Sequence, residues 1–257
     1  MKKLLFIDAC VNRGISRTEQ LAQTLLKEMN QNGEYEIETL NLEDEDLKLF
    51  TGKESALRES LTRAGNFEGP LFTYAKQFAA ADRIVVAAPY WDFSFPARMK
   101  CYLEQICVTG LTFTFSSKGI PGGLCHADSL HYVTTSGGSI GELNLGYEYL
   151  EKLCKVYYGI NETVCYTAEG LDIEGNSVEE IMKEAEEKAV QKYRKFTSGS
   201  KLWRIIFRKT KSRKSGNLRL MASYDWENMS LACTEPLKKN DRSVRVRITE
   251  RMCMCVN

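Results

Sequence analysis

Arg83-Ile84-Val85-Val86-Ala87-Ala88-Pro89-Tyr90-Trp91-Asp92-Phe93-Ser94-Phe95-Pro96 is the stretch whose reading decides the fold. After Arg83, five β-branched or small apolar residues run without polar alternation, the pattern of a parallel strand buried on both faces. Pro89 ends the run, because it has no N–H for a ladder. Beyond it stand four aromatics in six positions, more than a plain surface turn carries. Pro96 then opens a helix expected over about 96–108, with the proline in its first turn, where a missing N–H does no harm.

The same grammar repeats outward. Toward the N-terminus, residues 3–8 form a short apolar strand, and Leu21, Leu25, Leu26 and Met29 make one helical stripe. Residues 35–40 alternate as an edge strand; an acidic stretch at 41–46 and helical segments near 53–65 and 71–81 follow. Toward the C-terminus come a hairpin or flap over 111–124, a strand at 130–135, a helix at 146–157, a fifth strand at 162–168 and a charged helix at 177–196. Strand–helix alternation of this kind predicts an α/β fold: an open parallel five-stranded sheet with helices on both faces.

A chain of 257 residues holds one such domain with a remainder. Charge marks the seam. Residues 1–196 carry 21 Lys/Arg against 29 Asp/Glu, whereas residues 197–257 carry 14 against 5. The expectation is therefore a domain over 1–196, a linker at Thr197-Ser198-Gly199-Ser200 and a basic, poorly ordered extension over 197–257. Trp203, Ile205, Ile206 and Phe207 lie among seven basic residues there. An amphipathic helix on an anionic membrane or nucleic acid is the competing reading; disorder is preferred, and no nucleic-acid partner is expected. The apolar start ends at Asp8, too short for a signal peptide, and no segment nears the roughly 20 apolar residues of a span. Nine cysteines without C-x-x-C spacing fit reduced thiols in a cytoplasm rather than disulfides or a metal site.

Ligands of open α/β sheets bind beyond the carboxyl ends of the strands. Three loops leave such ends. In the first, Ser16, Arg17 and Thr18 enter a helix, and their hydroxyls, cation and first-turn amides suit a phosphate. Ser16 as a simple N-cap, with Glu19 as its capping-box partner, explains the same letters. The second, Tyr90 to Phe95, offers an aromatic wall to a flat cofactor or, equally, a satellite hydrophobic cluster. The third, Thr135-Ser136-Gly137-Gly138, allows close backbone approach to a ligand, as a flexible surface loop also would.

Ala87 to Ala97, Gly110-Leu111-Thr112-Phe113-Thr114-Phe115, Thr135-Ser136-Gly137-Gly138 and Ala168-Glu169-Gly170-Leu171 together resemble the FMN-dependent NADH-azoreductase and NAD(P)H quinone reductase family over about residues 1–195. The resemblance implies a flavodoxin-like fold, FMN as cofactor and NADH or NADPH as electron donor. It further implies a quinone or azo acceptor, a ping-pong cycle and a homodimer. The family's flavin phosphate site falls on Cys10, Ser16, Arg17 and Thr18. Its isoalloxazine loop falls on Tyr90, Trp91, Asp92 and Phe93, and its third contact on Thr135, Ser136, Gly137 and Gly138. Cys10 stands where a hydroxyl is common, Tyr90-Trp91-Asp92 where Met-Tyr-Asn is common, and Ser136 where Arg occurs. A negative Asp92 near the ring would disfavour reduced anionic flavin.

No acid–base residue is expected to be catalytic, since hydride transfer needs a positioned cofactor rather than a nucleophile. His131, at the start of a strand, reads as structural. Cys10, beside Arg13 and Arg17, is a weaker candidate for an activated thiol. The alternative to an enzyme is a non-catalytic flavodoxin-type carrier or a basic-tailed binding protein. The segment 110–124, which a simple carrier lacks, separates the two readings.

Overall fold

The computed structural model describes residues 1–211, with side chains to Gly199. The chain divides into two units, Met1–Ile205 and Ile206–Asn257. The first holds the sheet. Of the second, only the helical residues to Lys211 are among those described.

Five parallel strands form the sheet: β1 (Lys2–Asp8), β2 (Tyr35–Asn41), β3 (Arg83–Ala87), β6 (Ser129–Thr135) and β7 (Glu162–Ala168). Their order is β2-β1-β3-β6-β7, so the direction of winding reverses between β1 and β3. That reversal opens a crevice at the carboxyl ends of these two strands. The Arg83–Ala87 run is buried throughout, as its composition requires, and β2 stands at one edge.

Side chains alternate across the pleat, so each strand feeds two cores. Leu5, Ile7, Ile84, Val86, Leu130 and Tyr132 face one side, packed by α3 (Thr73–Ala80), α4 (Ala97–Ile106) and α5 (Leu145–Leu153). Leu4, Phe6, Val85, Ala87 and Val133 face the other, covered by α1 (Arg17–Met29) and α6 (Val178–Lys211). In α1 the buried residues are Thr18, Leu21, Ala22, Leu25, Leu26 and Met29, which contains the stripe read from sequence. Helix α2 (Gly52–Arg63) buries no residue and starts from a Thr51/Glu54 capping box.

Between α4 and β6 the chain makes an antiparallel hairpin of β4 (Phe113–Phe115) and β5 (Pro121–Gly123). A π turn, Cys154–Tyr158, extends α5 and ends at left-handed Gly159. The hairpin docks on this turn so closely that a Cβ at Gly123 would lie 2.1 Å from the Gly159 nitrogen. Phe113 stacks on Tyr157 at 4.6 Å.

Two sequence expectations need correction. Pro96 is the N-cap of α4 rather than a first-turn residue, with an extended ψ of 148° that sends the chain into the helix. The linker at Thr197–Ser200 is helical: α6 passes through it to Lys211, beyond the expected domain end at 196. The Thr197 and Ser198 hydroxyls donate back to the carbonyls of Arg194 and Lys195, both at 3.0 Å, which keeps polar side chains inside a helix. The expected disorder of the extension, and the Trp203–Phe207 membrane face, lie outside the residues whose side chains are described.

Candidate functional site

The loops after β1, β3 and β6 converge on one cleft of about 370 Å3 at the sheet's reversal point. Its lining includes Ser16, Arg17, Thr18, Tyr90, Trp91, Thr135, Ser136 and Gly137 from the predicted set, joined by Val11, Asn12, Ile15, Pro89, Leu171 and Asp172. Backbone hydrogen bonds register the loops against one another. Ala9 N donates to Ala87 O at 2.8 Å and Tyr90 N to Thr135 O at 3.1 Å, continuing the sheet beyond its strands.

Helix α1 points its N-terminus into the cleft. Ser16 Oγ accepts from Glu19 N at 3.2 Å and is the N-cap. The N-cap half of the capping-box reading is therefore correct. The hydroxyl also meets the Cys10 thiol, and a ligand acceptor would have to draw its proton away from that contact. Arg17 N and Thr18 N, first in the helix, have no carbonyl of their own helix to bond. Thr18 is buried and its hydroxyl meets that of Thr135 at 2.6 Å. One of the two protons is spent on that contact, leaving the other for a third acceptor. Arg17 supplies the cation, with Nη1 donating to Asp172 Oδ1 at 2.7 Å.

The aromatic loop closes a tight hairpin. Trp91 and Ser94 exchange both backbone bonds, at 3.1 and 2.7 Å. Asp92 and Phe93 take the two turn positions with φ of 49° and 67°, where glycine or asparagine is the usual choice. Tyr90 is anchored by its hydroxyl, which donates to Leu143 O at 3.0 Å, and by an edge contact with Phe93. Trp91 stays 47% exposed and is among the residues that border the cleft.

Four predicted residues fall outside the lining. Cys10 is fully buried, its thiol directed at Ala87 O; it packs beneath the phosphate loop instead of facing the cleft. Burial and the neighbouring Asp8 push its thiol pKa up, which ends the activated-thiol reading. The two arginines expected to lower it are engaged elsewhere, Arg13 with Asp44 and Arg17 with Asp172. Asp92 and Phe93 are at the exposed hairpin tip, and Asp92 therefore does not border the cleft. Gly138 is exposed and its carbonyl accepts from Gly170 N at 3.0 Å, tying its loop to the loop after β7.

Two contributors escaped sequence reading. Asp172 lines the cleft, and its neighbour in space is Gly137, where a Cβ would sit 2.2 Å from Asp172 Oδ2. Glu169 accepts from Ile140 N at 2.8 Å and so fixes the glycine loop. Both follow Ala168, within or next to a quoted motif; position after a strand end was the available signal.

His131 is remote from the cleft lining. It is fully buried, bonded to Ser129 Oγ and Tyr166 Oη at 3.1 and 3.0 Å, and packed against Tyr193 and Phe196. Burial, with Arg83 nearby, lowers its pKa to about 3. Among the described residues no group of acidic, His or Cys side chains is arranged to hold a metal. No helix among them is long and apolar enough to cross a membrane.

Comparison with known proteins agrees with this architecture. The sequence profile of a family described as flavodoxin-like fold matches residues 2–193. An FMN-dependent NADH:quinone oxidoreductase 2 of Clostridium acetobutylicum is 35% identical over 204 residues, covering 76% of this chain and all of the relative. One from Clostridium beijerinckii is 34% identical over 200 residues, with the same coverage. Among solved structures, a Bacillus anthracis FMN-dependent NADH-azoreductase in complex with FMN superposes with a TM-score of 0.64, over 76% of this chain and 99% of that one. Its 18% identity makes it a statement about fold alone. The chain is thus a member of the flavodoxin-like family to which the FMN-dependent NADH:quinone oxidoreductases belong.

Proposed function

We propose that this protein is an FMN-dependent oxidoreductase that takes electrons from NADH or NADPH and delivers them to quinones or azo compounds. The observation that carries the reading is the donor set at the start of α1. Two first-turn amides, the Ser16 and Thr18 hydroxyls and a guanidinium meet in one cleft beside an exposed indole. Such a set fits a phosphate attached to a flat ring. A single phosphate loop, without a second glycine-rich dinucleotide turn, fits FMN better than FAD.

Ser16, Arg17 and Thr18 would hold the phosphate, and Thr135, Ser136 and Gly137 would approach the ring with backbone. Tyr90 and Trp91 would form its wall. FMN held there supplies the hydride and electron chemistry, received from the nicotinamide and passed on in a second half-reaction. The protein's own part is to bind, orient and keep water from one face of the site. None of the lining side chains is assigned acid–base work.

A homodimer completes the proposal. The hairpin β4–β5 leaves Phe115 and Ile120 exposed at 47% and 62%, and neither lines its own cleft. Apolar surface of this kind suits a role over the cleft of a second copy.

The test uses the full-length protein. Flavin released by heat should run as FMN on chromatography, and the yellow protein should bleach on NADH under nitrogen and recolour with a quinone. Released FAD, or a colourless protein that binds no added FMN, would overturn the assignment. Light scattering on active protein should give twice the chain mass.

A further inference from the structure

We propose that Asp172 is an internal counter-anion that competes with the flavin phosphate for Arg17 and thereby limits how tightly the cleft retains a phosphate-bearing flavin. The inference rests on the FMN reading above and adds a residue that opposes it.

Arg17 and Asp172 lie 155 positions apart, yet their ion pair at 2.7 Å crosses the cleft between the start of α1 and the loop after β7. The pairing is built rather than incidental. Leu171 N donates to Ser136 O at 3.2 Å and Asp172 N to Gly137 O at 2.9 Å, so backbone sets the carboxylate's position. Its second oxygen occupies the space that any side chain at 137 would need. A glycine there admits the carboxylate, and through it an anion stands where the cleft otherwise gathers donors.

Carboxylate and phosphate are acceptors for the same guanidinium. A bound phosphate must share Arg17 with Asp172 or displace it, and the two anions repel across the cleft. Asp172 is 67% exposed at its side chain and Arg17 39%, so solvent screens the competition. It should shift affinity without abolishing binding.

Flavin-stripped full-length protein and Asp172→Asn would be titrated with FMN and with riboflavin, which lacks the phosphate, following flavin fluorescence. Asn keeps the shape beside Gly137 and removes the charge. FMN should bind about 1.5- to fivefold more tightly to the variant, the range expected for an exposed charge pair, while riboflavin affinity stays as in the parent. In an Arg17→Met background the competition is gone and only direct repulsion remains, so the Asp172→Asn gain should be smaller than in the parent background; an equal or larger gain would overturn the competition for Arg17. Unchanged or weaker FMN binding in Asp172→Asn would overturn the proposal, since Asp172 would then orient Arg17 rather than compete for it. An equal gain for riboflavin would overturn it too, because shape and not charge would be responsible. Failure of parent and variant alike to bind FMN would instead remove the functional reading on which it stands.

Discussion

A hydroxyl both accepts and donates, and Ser16 and Thr18 depend on that duality. Ser16 caps α1 through its oxygen while its proton can turn between the Cys10 thiol and the cleft, and Thr18 shares one proton with Thr135. Replacing both with alanine should weaken FMN binding at least tenfold by fluorescence titration, since each charge-assisted bond is worth about 1.5–3 kcal/mol. The fold should survive, with the lost cap removing about 1 kcal/mol of stability. His131 makes a different prediction. Its folded pKa of about 3 lies below the ordinary 6.5 of the unfolded chain. Between those values the unfolded chain binds the extra proton, so stability is present above pH 6.5 and lost as pH falls below it. The slope should approach about 1.4 kcal/mol per pH unit. Urea titrations between pH 6.5 and 4 should show that decline, and His131→Gln should flatten it. At this scale local strings were readable: Ser16 to Thr18 and Tyr90-Trp91 sit where their neighbours predict. Asp172 was not, because only the sheet brings it to Arg17. Cys10 misled because its sequence neighbours are cationic while its spatial neighbours are Asp8 and the Ala87 carbonyl.

Among the elements, the Trp91–Ser94 hairpin holds two non-glycine residues at positive φ, a conformation that is strained for a phenylalanine. Phe93→Gly should relieve about 1 kcal/mol of that strain and raise the denaturation midpoint. The same change removes the edge contact on Tyr90 and should raise KM for the quinone, a gain in stability set against function. A lower midpoint would mean that the ring's packing outweighs the strain. The strand at 83–87 was legible because burial on both faces leaves few residue types to choose from. The end of α6 was not, since threonine, serine and glycine read as a linker until their hydroxyls are seen bonding back into the helix.

For the whole molecule, strand–helix alternation gave the five-stranded parallel sheet, but the place where the folded unit stops depends on packing across it. Phe196 rests on His131 at 5.2 Å, and Tyr193 Oη accepts from Arg83 Nη1 at 2.8 Å. A chain ended after Ser200 should keep its fold, its flavin and NADH-dependent reduction. One ended after Lys192 loses both aromatics and should be less stable by at least about 3 kcal/mol, the scale of a large-to-small core change, seen by thermal melting. If the chain ended after Ser200 loses its flavin, residues beyond 200 are needed for flavin retention. The sheet's order has one more consequence, at the rim where β2 lies. Its outer row of amides and carbonyls is a template that a stray strand can copy, and Ile37 is partly exposed along it. Glu36 and Glu38 flank that residue and are themselves exposed. A copy of the same strand laid alongside in register would set carboxylate against carboxylate on the pleat. Charge at two positions of the edge therefore opposes an in-register copy, and replacing both glutamates with threonine should make this rim more prone to pair with a second molecule.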